Sequence, residues 1–393
     1  MKLRILDDLK DIAGKRVLLR VDYNVPVVKG KVGNAESLKL QASLPTLRFL
    51  LERKAKVILV SHLGRPTGPD RKNSLKPVAD RLEKLLGRKV LFVRYSIEDE
   101  RVDKDLDNLK DGQVAMLENI RFYPAEEKNG AFLARRLASL ADIYVNDAFA
   151  TAHRKHASTA GVAKHLPSYA GLLMAVEISN LHKLLEKPLK PFIVLMGGAK
   201  ISSKLSTMEK MLKIADKVLV GGGMANSFFR AKGLPTGKSE VSRDEVVSAR
   251  KLLKKKGLVL PVDVLAASSL SEKSNVRVAR PEDVKTNEYI VDIGPDTVRL
   301  YASYVKEAKT IAWNGPMGIF EVRKFSHGTV SLGRFIASRS SGLAYGVVGG
   351  GETIMALEQT GMSEYVDHIS TGGGAMLEFL EGKTLPGIEP LMK

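Results

Sequence analysis

Cationic and amide side chains follow several short apolar segments in the first half of the chain. Each segment has the aliphatic composition of a buried strand, and a polar loop begins where the segment ends. Arginine binds phosphate and carboxylate groups through two parallel hydrogen bonds, and histidine can add a further donor. These residue types therefore predict recognition of a small acid that carries phosphate or carboxylate groups. The residues are Asp22, Asn24, His62, Arg65, Arg121 and Arg154.

Two lysines follow a glycine pair just past the midpoint of the chain. The apolar run 192–196 predicts a strand, Gly197-Gly198 a turn, and the apolar spacing from Ile201 onward a helix. Lys200 and Lys204 would then stand at the helix N-terminus, where cations are disfavoured unless an anion also binds there. A phosphate chain would fit, but an ordinary βα turn with solvent-facing lysines explains this segment equally well.

Glycine also collects after the predicted strands of the second half, as in Gly221-Gly222-Gly223 and Gly349-Gly350-Gly351. Without a side chain, backbone N–H groups can approach a phosphate chain or a flat base. The two halves thus differ in chemistry. The first offers side-chain cations to a small acid, and the second offers glycine-rich backbone to a nucleotide.

Alternating strands and helices must position these residues. The pattern predicts an α/β protein with two doubly wound, Rossmann-like parallel sheets, and ligands bind such sheets beyond the carboxyl ends of their strands. The helical segment 171–186, followed by Pro188 and Pro191, is typical of an interdomain connector. The predicted strands are residues 16–21, 56–60, 89–93, 114–117 and 143–145, then 192–196, 217–220, 259–264, 289–293, 310–313, 344–348 and 368–370.

Length and composition agree with this organisation. A chain of 393 residues exceeds what one hydrophobic core usually supports, so two domains are expected. No uninterrupted apolar run is long enough for a membrane span, and the N-terminus has no signal-peptide pattern. The absence of cysteine excludes disulfides and thiolate chemistry. We therefore expect a cytoplasmic protein. A monomer is also expected, although nothing in the composition bears on it.

The chain is strongly basic, with 62 Lys and Arg against 44 Asp and Glu, a formal net charge of +18. Such a balance predicts either nucleic-acid binding or an acidic small-molecule substrate. The basic residues are scattered, and aromatic residues make up only 6% of the chain, which disfavours base stacking. The acidic substrate is the better interpretation.

Three familiar motifs are incomplete. The segment from Gly233 to Ser239 is one residue short of a P-loop, and no G-x-G-x-x-G is complete, which disfavours a dinucleotide dehydrogenase. His153 and His156 have no H-E-x-x-H partner, so a zinc site is not expected.

Over nearly its full length, however, the sequence resembles the phosphoglycerate kinase family. The segments that carry the resemblance are Arg20-Val-Asp-Tyr-Asn-Val-Pro26, Ser61-His-Leu-Gly-Arg-Pro66, Leu117-Glu-Asn-Ile-Arg-Phe-Tyr-Pro-Ala-Glu-Glu-Lys128, Tyr144-Val-Asn-Asp-Ala-Phe149, Thr151-Ala-His-Arg154, Gly197-Gly-Ala-Lys200, Trp313-Asn-Gly-Pro-Met-Gly-Ile-Phe-Glu321, Gly349-Gly-Gly351 and His368-Ile-Ser-Thr-Gly-Gly-Gly-Ala375.

The resemblance implies two domains facing across a cleft that closes about hinges near residues 171–190 and 370–376. Residues 1–170 would bind 3-phosphoglycerate, with a C-terminal tail, 374–393, returning to them. Residues 171–190 would connect the domains, and residues 191–373 would bind the nucleotide. The implied reaction is reversible phosphoryl transfer between 1,3-bisphosphoglycerate and MgADP, giving 3-phosphoglycerate and MgATP.

The resemblance also assigns site residues. The 3-phosphoglycerate site would comprise Asp22, Asn24, Lys39, His62, Arg65, Arg121 and Arg154. The nucleotide site would comprise Gly198, Ala199, Lys200, Lys204, Gly221, Gly222, Asn314, Glu321, Gly349, Gly350, Gly351, Glu352 and Thr353, with Glu352 beside Mg²⁺. The transfer itself would involve Lys39, Arg65, Lys200, Gly351 and Gly374.

This sequence departs from the family pattern at several places. Lys39 stands where the family has an arginine that clamps the transferring group, so the charge is kept without the two-pronged geometry. Glu352 stands in place of aspartate, and Ser203 and Tyr123 replace a usual acidic residue and histidine. With the basic charge, these departures leave open a weakened family member that binds an anionic polymer, with a dehydrogenase as a more distant alternative.

Overall fold

The computed structural model describes residues 2–33 and 37–393. The chain divides into two compact units. Unit 1 comprises Met1–Ser179 and Thr384–Lys393, and unit 2 comprises Asn180–Lys383. The last helix, Gly374–Leu380, belongs to unit 2, so the segment that rejoins unit 1 begins later than the predicted residue 374.

Unit 1 is built on a six-stranded sheet in the order β3-β4-β2-β1-β5-β6, with every pair of neighbours parallel. Its strands are β1 Arg16–Arg20, β2 Lys56–Val60, β3 Val90–Val93, β4 Val114–Leu117, β5 Ile143–Asn146 and β6 Ser168–Ala170. Its helices are α1 Leu38–Glu52, α2 Lys76–Leu86, α3 Glu100–Asp107 and α4 Ala131–Ser139, and α5 Leu172–Glu186 contains the boundary with unit 2.

Both faces of this sheet are buried, which explains why its strands are apolar without alternation. Val17 and Leu19 of β1 belong to one hydrophobic cluster, whereas Leu18 between them belongs to the cluster on the opposite face. The C-terminal segment adds to the same unit, since Asn146 Nδ2 donates to the Gly387 carbonyl over 3.0 Å.

Unit 2 contains a second parallel sheet in the order β15-β14-β13-β7-β8-β9 and a three-stranded antiparallel sheet in the order β11-β10-β12. The strands are β7 Phe192–Met196, β8 Lys217–Val220, β9 Leu258–Val259, β10 Val264–Ala267, β11 Val276–Ala279, β12 Tyr289–Ile293, β13 Thr310–Asn314, β14 Tyr345–Gly349 and β15 His368–Ser370. The helices are α6 Leu205–Ile214, α7 Gly223–Ala231, α8 Arg243–Leu252, α9 Pro295–Glu307, α10 His327–Ser340, α11 Gly351–Glu358 and α12 Gly374–Leu380.

The two parallel sheets confirm the predicted fold class, but the antiparallel sheet was not predicted. The expected strand 259–264 is wrong, because β9 ends at Val259 and β10 begins at Val264. Between them, Pro261 has no N–H to donate to a neighbouring strand. The carboxylate of Asp263 instead caps α9 by accepting from Thr297 N over 2.7 Å. Residues 289–293 form a strand as predicted, but in the antiparallel sheet.

Candidate functional site

A buried arginine at the carboxyl end of β1 organises the cationic residues of unit 1. Arg20 is 1% exposed, and its Nε donates to Ser158 Oγ over 2.9 Å. Its Nη2 lies 3.3 Å from Nδ1 of His62, and because a guanidinium has no acceptor, the imidazole nitrogen must accept. This contact requires His62 Nδ1 to be unprotonated.

The charge state of His62 follows from its surroundings. Burial lowers the pKa of His62 well below its ordinary value, and the positive charge of Arg20 lowers it further. Asp22 opposes this shift from 3.9 Å, but the net direction remains downward. His62 is therefore neutral at neutral pH and offers one N–H donor and one acceptor.

Asp22 and Lys39 form an ion pair beside His62, with Lys39 Nζ 2.7 Å from Asp22 Oδ2. Burial alone would raise the pKa of Asp22, but the charge and hydrogen bond of Lys39, together with the charge of Arg20, outweigh it, so the net shift is downward. Asp22 Oδ1 also accepts from the backbone N–H of Asn24, over 3.2 Å. Asp22 is thus an ionised anchor that holds neighbouring polar groups.

Arg121 and the turn at Gly64 form the next part of the cluster. Arg121 Nη1 donates to the Gly64 carbonyl over 2.6 Å, and Gly64 N donates to Asn24 Oδ1 over 2.9 Å. Burial lowers the pKa of Arg121, with a contribution from the like charges of Arg154 and Arg20. The guanidinium groups are therefore close enough to repel one another, which an anionic ligand would relieve.

A second buried carboxylate stabilises this concentration of positive charge. Glu126 is fully buried, and its Oε1 accepts from Ser158 Oγ over 2.6 Å while Oε2 accepts from Ser158 N over 2.9 Å. Ser158 thus connects Glu126 to Arg20. His156 lies 3.7 Å from Glu126, and burial lowers its pKa to about 4.

The remaining predicted residues of unit 1 lie nearer to solvent. Arg65 is exposed immediately after Gly64, and Arg154 is half-buried with its Nε 3.3 Å from His153 Nε2. The structure therefore brings Asp22, Asn24, Lys39, His62 and Arg121 into direct or shared contact, and Arg154 into electrostatic contact with Arg121.

In unit 2, three turns at the carboxyl ends of β7, β8 and β13 pack backbone against backbone. Gly198 N donates to Pro316 O over 2.9 Å, and Gly222 N donates to Met317 O over 2.7 Å. Gly222 has a φ of +64°, and a Cβ there would lie 2.7 Å from Gly198 N, so only glycine fits. The backbone N–H groups of Gly198, Gly221 and Gly222 therefore all donate to carbonyl groups of the protein itself.

Lys204 lies within this arrangement. Its Nζ donates to the carbonyls of Gly197, over 2.8 Å, and Asn314, over 3.2 Å. Burial lowers the pKa of Lys204 to about 8, although Glu352 opposes the shift. Two of the three N–H donors of the ammonium group thus bond to backbone carbonyls.

The sequence suggested that Lys200 and Lys204 have equivalent positions at the start of a helix, but in the structure their positions differ. The helix α6 begins at Leu205 instead of near Ile201, so Lys204 precedes its first residue and Lys200 lies in the loop before it. Lys200 and Ala199 are exposed.

The other predicted nucleotide residues follow β13 and β14. Asn314 Nδ2 donates to Gly349 O over 2.8 Å, and Gly315 N donates to Thr353 Oγ1 over 2.6 Å, so these contacts join the two loops. The loop Gly349-Gly350-Gly351 leads into α11, which places exposed Glu352 in the first turn. Gly374 begins α12 after β15, the parallel neighbour of β14.

A cavity of about 570 Å³ opens beside these turns, a volume suited to a ligand of nucleotide size. Its lining includes five of the predicted nucleotide residues: Gly198, Ala199, Gly222, Glu321 and Glu352. Residues of β12 and of the segment 316–319 also line the cavity, a role that was not predicted for them. Asp292 of β12 is buried there, and burial raises its pKa to about 8.

No cluster of three or more metal-ligating side chains occurs within residues 2–33 and 37–393. Glu352 is a single exposed carboxylate, which matches the way Mg²⁺ is usually held, by one or two carboxylates together with substrate phosphates. In the same part of the chain, no helix is long and apolar enough to span a membrane.

Several site residues were not assigned from the sequence. Arg20 could have been suspected, because a charged residue ends an otherwise apolar buried strand. Glu126, Ser158 and His156 carry no local signal, since their contacts join residues about thirty positions apart. Asn226 of α7, which also lines the cavity, lies one turn inside a helix where no motif marks it.

Unit 1 thus holds a buried cluster of cations suited to an acidic small molecule, and unit 2 holds a glycine-walled cavity suited to a ligand of nucleotide size. The family model described as "Phosphoglycerate kinase" matches residues 6–383 of this chain. The chain belongs to the phosphoglycerate kinase family, as predicted.

Individual phosphoglycerate kinases are similar to this chain over almost its whole length. The chain is 48% identical over 389 residues to the phosphoglycerate kinase of Desulforudis audaxviator, covering 97% of each protein. It is 47% identical over 385 residues to that of Fervidobacterium nodosum, covering 96% of each. The solved structure of phosphoglycerate kinase from Coxiella burnetii superposes with a TM-score of 0.88 at 40% identity, covering 99% of this chain and 98% of that one.

Proposed function

We propose that this chain catalyses reversible phosphoryl transfer between 1,3-bisphosphoglycerate and MgADP, giving 3-phosphoglycerate and MgATP. The observation that carries the proposal is the cavity of unit 2, whose lining includes Gly198, Gly222, Glu321 and Glu352. The chain that contains this cavity belongs to the phosphoglycerate kinase family. Such a kinase works in glycolysis and gluconeogenesis.

Unit 1 binds the acidic substrate in this proposal. Arg65, Arg121 and Arg154 neutralise its phosphate and carboxylate groups, and neutral His62 donates one hydrogen bond. Asp22 and Asn24 orient these donors and bind the substrate hydroxyl. The transferring phosphoryl group meets Lys39.

Unit 2 binds the nucleotide. The base and ribose occupy the cavity against Ala199 and Glu321, and the phosphates meet Lys200 and Lys204 with the first turn of α11. Glu352 holds the Mg²⁺ that enters with the nucleotide as part of the substrate. The remaining residues of the nucleotide site are Gly198, Gly221, Gly222, Asn314, Gly349, Gly350, Gly351 and Thr353.

No general base is required, because the acceptor carboxylate of 3-phosphoglycerate is already ionised at neutral pH. Phosphoryl transfer depends mainly on positioning and on neutralising the equatorial oxygens, which cations and helix N-termini achieve. Lys39, Arg65 and Lys200, with the backbone at Gly351 and Gly374, perform this role in the proposal.

The test is a coupled assay of ADP formation from MgATP and 3-phosphoglycerate. We expect turnover that depends on both substrates, and Arg65→Ala should raise KM for 3-phosphoglycerate more than KM for MgATP. Arg88→Ala, an exposed arginine between α2 and β3, is the matched control and should change neither value. Absence of turnover, with salt-sensitive binding to single-stranded nucleic acid, would overturn the proposal.

A further inference from the structure

A second cavity, of about 490 Å³, opens in unit 1 beside the carboxyl ends of β3 and β4. Doubly wound sheets bind their ligands at this edge. Four of its eleven lining residues are aromatic, whereas aromatic residues make up only 6% of the whole chain. The four are Phe92, Tyr95, Phe122 and Tyr123, and all are half-buried. The lining shares no residue with the set predicted for the acidic substrate, so the proposed reaction leaves this cavity unused.

The aromatic wall is held in place by residues that do not themselves line the cavity. Tyr123 Oη accepts a hydrogen bond from the backbone N–H of Ile97 over 2.7 Å. The guanidinium group of Arg101, which pairs with Asp99, lies 3.9 Å from the centre of the Tyr95 ring. Rings that are fixed in this way form a preformed surface on which a flat aromatic ring can stack.

Two carboxylates also line the cavity, but their oxygens already accept hydrogen bonds from the protein. Glu118 Oε2 accepts from Ser74 Oγ over 2.7 Å, and its Oε1 accepts from two backbone N–H groups over 2.8 Å. Asp70 caps the short turn Arg71–Asn73, from which each of its oxygens accepts over 2.9 Å. These acidic groups therefore stabilise the loops around the cavity, and each of their oxygens already has a donor within unit 1.

The hydrogen-bonding capacity that remains open in the lining consists of donors. Arg71 is exposed, and its guanidinium group has no hydrogen bond or ion pair within the described part of the chain. Exposed Arg94 makes one hydrogen bond, from Nη2 to Tyr95 Oη over 3.3 Å. Ser96 Oγ accepts from Tyr123 Oη over 3.3 Å and keeps its own proton. A ligand must therefore supply acceptors, and two arginines favour an oxyanion.

We infer that this cavity is a binding site for a planar aromatic compound that carries a phosphate or carboxylate group. The ring stacks against the aromatic wall, and the oxyanion accepts hydrogen bonds from Arg71 and Arg94. A solvated surface would explain free arginines alone, whereas the site explains why they share one cavity with four half-buried rings. The site is separate from the substrate sites of the proposed function and does not depend on that function.

The test uses two probes, 1-naphthyl phosphate and 1-naphthoate, each titrated by calorimetry into the intact protein. Saturating MgADP and 3-phosphoglycerate are present, so that the two proposed substrate sites are filled. We expect one probe molecule to bind per chain, and the probe that binds more tightly identifies the preferred oxyanion. Inorganic phosphate, which has no ring, and 1-naphthol, which has no oxyanion, should each bind at least about tenfold more weakly.

Variants of the lining locate the bound probe. Arg71→Ala and Arg94→Ala should each weaken binding of the better probe about tenfold, the effect of one charge-assisted hydrogen bond. Both side chains are exposed, so we expect both variants to fold. Phe92→Leu keeps an apolar side chain in β3 but removes a stacking partner, and should weaken binding about fivefold. Arg88→Ala, an exposed arginine outside the lining, should leave the affinity unchanged.

No measurable binding of either probe to the intact protein would overturn the inference. Equal affinities for the intact protein, Arg71→Ala and Arg94→Ala would also overturn it, because the probe would then bind elsewhere. Inorganic phosphate that bound as tightly as the probes would show that the aromatic wall has no part in binding. Failure of the proposed function is a separate result, in which the intact protein would not turn over 3-phosphoglycerate with MgATP.

Discussion

Lys39 Nζ donates to Asp22 Oδ2 over 2.7 Å and to the carbonyl oxygen of Asn24 over 3.3 Å. Two of the three ammonium protons of Lys39 are therefore directed at the protein itself. A lysine in this position carries the required charge but has only one point of contact left for a phosphoryl group, whereas an arginine could bind Asp22 and the phosphoryl oxygens at once.

Lys39→Arg should therefore raise kcat. One additional charge-assisted hydrogen bond in the transition state contributes on the order of 1–2 kcal/mol, which corresponds to roughly a tenfold increase. The measurement is steady-state turnover of 3-phosphoglycerate with MgATP. Lys56→Arg, at the start of β2, is the control. A kcat for Lys39→Arg equal to or below that of the intact protein would contradict the prediction.

The link between Arg20 and Glu126 gives a prediction for stability. Ser158→Ala removes the hydroxyl that accepts from Arg20 Nε and donates to Glu126 Oε1, so two buried charged groups each lose a partner. We expect the free energy of unfolding to fall by about 2–3 kcal/mol. Urea unfolding followed by circular dichroism is suitable, because the single tryptophan, Trp313, lies in unit 2 and does not report on unit 1.

The matched control for that measurement is Ser139→Ala at the end of α4. Its hydroxyl donates to the carbonyl of Arg136 over 2.8 Å at the surface, so its loss should change the free energy of unfolding by less than about 0.5 kcal/mol. Equal effects from the two alanine variants would show that Ser158 does not connect the buried charges.

The sequence predicted the parallel sheets well, because strands buried on both faces are uniformly apolar and alternate with amphipathic helices. Val17, Leu18 and Leu19 illustrate the pattern, with successive residues in opposite hydrophobic clusters. The antiparallel sheet was missed because β10 and β11 have only four residues each. Serines and charged residues flank them, so neither strand stands out as an apolar run.

The site was predictable where a functional side chain directly follows a strand, as His62 follows β2. It was not predictable where the neighbours come from distant segments. One buried partner of Arg20 is Ser158, and no local pattern links residues so far apart. The helix expected from Ile201 onward begins at Leu205. Lys204 Nζ donates to the carbonyls of Gly197 and Asn314, tertiary contacts that spacing alone does not reveal.

Asp292 makes the stability of unit 2 depend on pH. Burial raises the pKa of its carboxyl group from 3.8 to about 8, so the folded protein holds a proton that the unfolded chain has already released. A raised folded pKa means that the contribution is fully present below the unfolded pKa and is lost as pH rises from about 4 to about 8.

Asp292→Asn should remove this dependence. The amide cannot ionise, so the variant should gain stability relative to the intact protein when pH is raised from 5.5 to 8. Urea unfolding followed by the fluorescence of buried Trp313 measures the effect within unit 2. Exposed Asp283→Asn should retain the slope of the intact protein. Parallel pH profiles for Asp292→Asn and the intact protein would exclude Asp292 as the source.

We expect Lys204 to couple nucleotide binding to proton uptake. Burial lowers its pKa to about 8 in the free protein, so at pH 8 about half of the molecules carry a neutral amine. Phosphate groups nearby favour the charged form and raise the pKa, so binding of MgADP at pH 8 should take up about half a proton per molecule.

Calorimetry of MgADP binding in buffers of different ionisation enthalpy measures this number directly. Lys204→Arg keeps the positive charge at every accessible pH, because arginine does not deprotonate in proteins. That variant should bind MgADP without the extra proton at pH 8, whereas at pH 6.5 the two proteins should differ little. If the intact protein and Lys204→Arg took up the same number of protons at pH 8, Lys204 would not be the titrating group, and its contacts with Gly197 and Asn314 would serve only to hold the turns together.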